Sequence, residues 1–171
     1  MFASVMILQL VEEGRIELTD TLDQFFPQVP NSKKITLAHI LAHRGRIHDV
    51  LVDRSLRPKS TTGAPQKWDV LALLANSTPD FKPDTNHAYS NSGYFLLGRI
   101  IEQLTGKTYA DALQERIVSK LDLKDTYIAS GGIDVTKNES LTYFNTGGNR
   151  GAKLAWIFSS AWERWFRPTT T

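Results

Sequence analysis

The sequence predicts a mainly α chain with few strands, and three observations carry that expectation. Apolar residues recur three and four apart in several segments, those segments tend to start at Ser or Thr and stop at Gly or Pro, and alternating apolar–polar runs are scarce. With 171 residues, 41% hydrophobic and 22% charged, the chain fits one compact unit with a real core.

Taken in order, Phe2, Val5, Met6, Leu8 and Val11 place apolar side chains around most of a helix closed by Gly14, so this helix needs cover on several sides. Asp20 to Phe26 reads as a short amphipathic turn stopped by Pro27. Thr36 is set to cap a helix over Leu37–Ala42. Residues 53–66, with Pro58, Gly63 and Pro65, read as a surface loop. A helix from about Trp68 to Ala75 uses Trp68, Leu71 and Leu74, and Pro79 and Pro83 end it. The firmest helix begins near Ser92, where Tyr94, Leu97, Ile101 and Leu104 form a stripe and Gly106 follows the end. Thr108 caps the next helix, with Leu113, Ile117 and Leu121 along one face. Thr126 to Ala129 and Leu141 to Phe144 are the candidate strands.

Composition removes several functions. A formal charge of +2 without a clustered basic surplus argues against nucleic acid as a partner. The absence of cysteine excludes disulfides, thiolate nucleophiles and thiolate metal sites. The stretch from Met1 to Glu12 lacks the basic start and small-residue cleavage site of a signal peptide, and no segment reaches the ~20 apolar residues of a membrane span. The chain is therefore expected to be soluble and without a membrane span.

The chemistry-bearing residues centre on Tyr89-Ser90-Asn91, in a polar loop just before the firmest helix. Residues two apart in an extended or turn segment point to one side, so the phenol of Tyr89 and the carboxamide of Asn91 can share a cleft. By itself the pattern is weak, and a packed tyrosine beside a capping asparagine satisfies it equally. His39 and His43 stand four apart on the predicted second helix, but with no Glu between them and no evident third ligand they are read as structural imidazoles, and no metal site is expected. His48 and His87 are assigned to the surface, and Lys33-Lys34 to a solvated loop.

The wider string resembles a known family. Phe81-x-Pro83, then Tyr89-Ser90-Asn91-Ser92-Gly93-Tyr94-x-Leu96-Leu97-Gly98, with Ile100-Ile101-Glu102-x-Leu104-Thr105-Gly106, is similar to the second signature of class C β-lactamases and their D-Ala-D-Ala carboxypeptidase and esterase relatives. The likeness extends through Leu121-Asp122-Leu123-x-Asp125-Thr126, back through Ile35-Thr36-Leu37-x-His39-Ile40-Leu41-x-His43, and to Met1–Gly14, which resembles the helix after the nucleophile. It covers residues 1 to about 140. At His43 the family usually continues with a hydroxyl residue and Ser-Gly, whereas this chain has Arg44-Gly45-Arg46.

The resemblance implies the helical subdomain of an α+β serine β-lactamase and penicillin-binding-protein-like fold, with few or no sheet strands in this chain. It implies a serine hydrolase that works through an acyl-enzyme on a β-lactam, a D-Ala-D-Ala peptide or a small ester, with no cofactor. The family nucleophile lies in Ser-x-x-Lys, and no such motif occurs here; Ser4 is followed three residues on by Ile7. Asn145-Thr146-Gly147-Gly148 is rejected as the third signature, because its first residue is uncharged and it follows Tyr89 too closely. In the family Tyr89 would share the base role with the lysine, and Asn91 would donate its amide to the substrate carbonyl. A free phenol has a pKa of about 10, so that role needs neighbouring cations. The chain is thus expected to be a truncated and inactive part of the enzyme, and the rival reading is a catalytically dead helical binding module. Implied partners are small-molecule or peptidoglycan-peptide substrates, and the implied location is the bacterial envelope, periplasm or exterior. Without the sheet, the first helix should expose apolar surface and favour self-association.

Residues 1–148 are accordingly assigned to a partial family domain and 149–171 to an atypical tail. Trp156, Trp162 and Trp165 crowd that tail beside Phe158 and Phe166. If its arginines use CGN codons, reading one nucleotide earlier permits Gly-Ala-Val-Val-Ser-Thr, close to what the family supplies, so a frameshift upstream of Ala161 is expected, which the nucleotide sequence tests.

Overall fold

The computed structural model describes residues 1–56, 69–79 and 82–128. Within them run five α-helices: α1 (Phe2–Glu12), α2 (Leu37–Leu41), α3 (Val70–Ala75), α4 (Asn91–Thr105) and α5 (Tyr109–Leu113). Short 3₁₀ turns occupy Leu22–Gln24, Ser32–Lys34 and Arg54–Leu56, and α5 passes directly into a π-helical turn at Gln114–Val118. No β-strand occurs among the described residues; one isolated antiparallel bridge pairs Thr21 with Thr36.

The apolar pattern explains the arrangement. α4 packs against α1, α2 and α5, and it buries Phe95, Leu96, Leu97, Ile100 and Ile101. The predicted stripe of Tyr94, Leu97, Ile101 and Leu104 is therefore too narrow, since three neighbouring helices surround α4. Ser90 caps it by accepting the Gly93 N–H, and Gly106 closes it at φ +68°. Glu102 on α4 accepts the Tyr109 N–H at 2.9 Å and joins α4 to the start of α5. Burial pushes the Glu102 carboxyl above the usual range, against the pull of that bond and of Arg99.

α1 presents Ala3, Met6, Ile7 and Leu10 to the core, an i, i+3, i+4, i+7 face. It ends in a Schellman motif, with the Gly14 N–H on the Val11 carbonyl, the Arg15 N–H on the Leu10 carbonyl, and Gly14 at φ +67°. Val5 and Leu8 remain exposed, so the described residues cover this helix on one face and not on several. The Arg116–Glu13 ion pair at 2.8 Å ties the π turn to the end of α1.

Local sequence explains the remaining elements, with two corrections. Thr36 and His39 form a reciprocal capping box, and α2 then stops at Leu41. His43 therefore lies beyond the helix, at φ +54°, and not on the helical face it was expected to share with His39. Leu121 is 65% exposed, contrary to its expected place in the α5 face. The helix ends at Val118, where the Leu123 N–H turns back to the Val118 carbonyl, and Leu121 falls in that turn. Asp69 caps α3 through the Ala72 N–H, and Val70 and Leu74 are its buried residues. Trp68, Ala129, 141–144 and the tail 149–171 lie outside the described residues, as does most of the loop expected at 53–66.

Substitutions in α4 test its central place. Leu97→Ala should cost about 2–5 kcal/mol, since Leu97 is fully buried. Gly106→Ala should cost about 1–2 kcal/mol from backbone conformation, because no atom would meet the added methyl. Denaturant unfolding checks both, and a Leu97→Ala loss below that of Gly106→Ala would contradict the placement of α4.

Candidate functional site

The site is built where the segment 84–91 enters α4 beside the loop 43–49. Two backbone bonds dock these segments, Ala88 N–H to the His43 carbonyl and Asp84 N–H to the Arg44 carbonyl, each 3.0 Å. Arg44 clasps Asp84 through its side chain and its carbonyl, both at 2.6 Å, and Arg46 donates to the Pro79 carbonyl at 2.6 Å. The Arg44-Gly45-Arg46 sequence thus sets the shape of this loop. His43 and Arg46 both take positive φ, and Gly45 packs so closely that a Cβ there would stand 3.1 Å from Ile35 Cγ2.

Tyr89 is 67% exposed, and its hydroxyl donates to Asn91 Oδ1 at 3.2 Å. Both groups therefore face one side, although Asn91 is the first residue of α4 and not part of the loop. The Tyr89 ring lies 4.6 Å from the His43 ring, and His43 stacks with Tyr94 at 4.9 Å. Tyr94 donates its hydroxyl to the Leu41 carbonyl, which leaves its oxygen to accept from Ser4 Oγ at 3.1 Å. A continuous series of contacts thus leads from Tyr89 through His43 and Tyr94 to the first turn of α1.

His43 also holds the backbone, since its Nδ1 accepts the Ser90 N–H at 3.3 Å. That bond requires an unprotonated Nδ1 and places the ring proton on Nε2. Burial pushes the His43 pKa below its ordinary value, His87 adds to the shift, and Asp49 opposes it.

Asp49 belongs to no motif visible in the sequence. One of its oxygens, Oδ2, accepts both the backbone N–H of Asn91 at 2.9 Å and the side-chain Nδ2 at 2.8 Å, while Oδ1 accepts from Leu51 N–H and Ser92 Oγ. Hydrogen bonds to a charged group contribute about 1.5–3 kcal/mol each, so Asp49 is a principal anchor of the site. Its partners Asn91 and Ser92 are 42 and 43 residues distant, and no local pattern advertises the pairing.

The other histidines play structural parts. His39 Nδ1 accepts the Thr36 N–H within the capping box. His48, expected at the surface, is half-buried and pairs with Asp53 at 2.9 Å. The Ser55 hydroxyl, with His48, holds the Asp53 carboxyl down to about 2. His87, Lys33 and Lys34 are exposed. Among the described residues no three His, Asp or Glu side chains converge to hold a metal, and no helix is long and apolar enough to cross a membrane.

A family model described as "Beta-lactamase" matches residues 1–159. The chain is 29% identical to penicillin-binding protein 4 of Amycolatopsis lactamdurans over 71% of its own length and 32% of that protein's. It is 25% identical to the teichoic acid D-alanine hydrolase of Staphylococcus aureus, covering 71% of this chain and 29% of that protein. The chain therefore spans about a third of these curated relatives. A crystal structure of a D-stereospecific amidohydrolase from Streptomyces superposes with a TM-score of 0.66 at 29% identity, covering 77% of this chain and 42% of that one.

The lowered His43 pKa has a pH consequence. The folded state binds its proton less readily than the unfolded chain, so the stability His43 contributes is present above the ordinary histidine value of about 6.5 and is lost as pH falls through the folded value. NMR titration of the His43 ring should give a midpoint below 6.5; a midpoint at or above it contradicts the burial of His43 beside His87.

Proposed function

The chain belongs to the β-lactamase family, and from that premise we propose that its Tyr89–Asn91 site serves acyl transfer in a serine hydrolase acting on a D-alanyl amide or ester, or on a β-lactam. The observation that carries this reading is the exposed Tyr89 hydroxyl held 3.2 Å from the Asn91 carboxamide at the start of α4. The residues have the right chemistry for two parts of that reaction. A phenol can relay a proton from an attacking hydroxyl, and a carboxamide N–H can bind an acyl-group carbonyl. The names of the relatives support the substrate class, since one is a teichoic acid D-alanine hydrolase and another a D-stereospecific amidohydrolase.

The nucleophile is the part these residues do not supply. No Ser-x-x-Lys occurs in the 171 residues, and Ser4, at the first turn of α1, is bonded to Tyr94 and not to a base such as lysine. The proposal therefore includes that this polypeptide alone performs no acyl transfer. The same observation favours a second reading, a helical module that binds a D-alanyl ligand without turning it over.

Intact-mass spectrometry after incubation with a penicillin and with a nitrophenyl ester separates these outcomes. The 171-residue chain should gain no acyl mass, whereas a product that also carries an in-frame Ser-x-x-Lys before Met1 should gain one acyl group on that serine. A stoichiometric adduct on Ser4, Ser90 or Ser92 of the chain alone would overturn the location of the nucleophile. A product carrying the motif that binds penicillin but forms no adduct would leave the binding module as the correct reading.

A further inference from the structure

We propose that Asp49 is a positioning residue that fixes which way the Asn91 carboxamide faces, turning its carbonyl to Tyr89 and leaving one N–H for the substrate. This deepens the acyl-transfer reading and rests on it, since the free N–H matters only if Asn91 meets an acyl group.

The argument begins with the donors. An ionised carboxylate has no proton to give, so only the NH₂ end of the Asn91 side chain can face Asp49 at 2.8 Å. The carboxamide is planar, and Oδ1 is then directed elsewhere, where it meets the Tyr89 hydroxyl at 3.2 Å. The direction of the second bond follows from the first: Oδ1 only accepts, so Tyr89 donates. A flipped Asn91 would set its carbonyl against the carboxylate, and that arrangement is repulsive.

Asp49 is itself held in place. Its Oδ1 accepts the Leu51 N–H at 3.3 Å and the Ser92 hydroxyl at 3.4 Å, which leaves Oδ2 for the two Asn91 donors. Its negative charge lies at the N-terminus of the fifteen-residue α4, where the helix dipole favours an anion. Asn91 has two Nδ2 protons, and Asp49 uses one. The second has no protein partner among the described residues, and it is the donor a bound acyl carbonyl would find.

A simple capping role for Asp49 predicts something different, because a cap acts on the backbone N–H and is indifferent to the side-chain amide. Side-chain amide NMR of the full 171-residue chain separates the two. In the unmodified chain one Asn91 Nδ2 proton should lie well downfield of its partner and exchange with water about tenfold or more slowly, the factor expected of a bond to a charged acceptor. Asp49→Ala should return the pair to the smaller separation and the faster exchange of a free carboxamide. Ser92→Ala, which removes another bond to Asp49 and leaves Asn91 intact, should preserve it. An Asp49→Ala chain that unfolds at lower denaturant with the Asn91 amide pair unchanged would overturn the proposal. If Asp49→Ala does not fold, Asp49→Asn keeps the shape without the charge; a reduced downfield shift supports the proposal and an unchanged one overturns it. The measurement needs no turnover, so its failure is distinct from failure of the acylation experiment.

Discussion

The arrangement depends on how the first turn of α4 satisfies its backbone N–H groups. A helix begins with donors that have no partner inside it, and a buried start must find acceptors elsewhere. Here the Ser90 hydroxyl takes the Gly93 N–H, the Asp49 carboxylate takes the Asn91 N–H, and His43 takes the Ser90 N–H just before the helix. Two of these three acceptors come from the loop 43–49. Fixing the start of α4 therefore also fixes that loop, and with it the side chains of Tyr89 and Asn91.

This constraint links packing to chemistry. α4 buries side chains against α1, α2 and α5, so its axis is set by the core and its first turn arrives at a defined place. The exposed Tyr89 would otherwise be free to turn. Instead it contacts His43, which stacks on Tyr94, which is bonded to α1 and to the end of α2. Polar function at the surface is thus held by aromatic contacts reaching inward, in keeping with the general need to build a site on rigid elements.

How much of this was legible in the sequence follows from the range of each interaction. The existence of α4, its end at Gly106, the Thr36 cap and the close at Gly14 were readable, because caps and helical spacing are local. The pairing of Tyr89 with Asn91 was readable for the same reason, being two residues apart. Asp49 was not, since its bonds to Asn91 and Ser92 cross more than forty residues and a lone aspartate in a loop has many uses. The four-residue spacing from His39 suggests a helical place for His43, whereas its positive φ carries it out of α2 to meet Ser90. The exposure of Leu121 was hidden because a π turn leaves the apolar spacing of the sequence unchanged while the helix stops short of it.

The central claim is that the loop 43–49 clamps the start of α4 and so preorganises Tyr89 and Asn91. Native-state hydrogen exchange of the Ser90 and Asn91 backbone amides tests it most directly. If the clamp holds, both amides exchange slowly and open together with the buried amides of α4, because releasing them requires separating the loop from the helix. Exchange at the rate of exposed loop amides, while the interior of α4 stays protected, would show that the site is not held by the fold and would contradict the account.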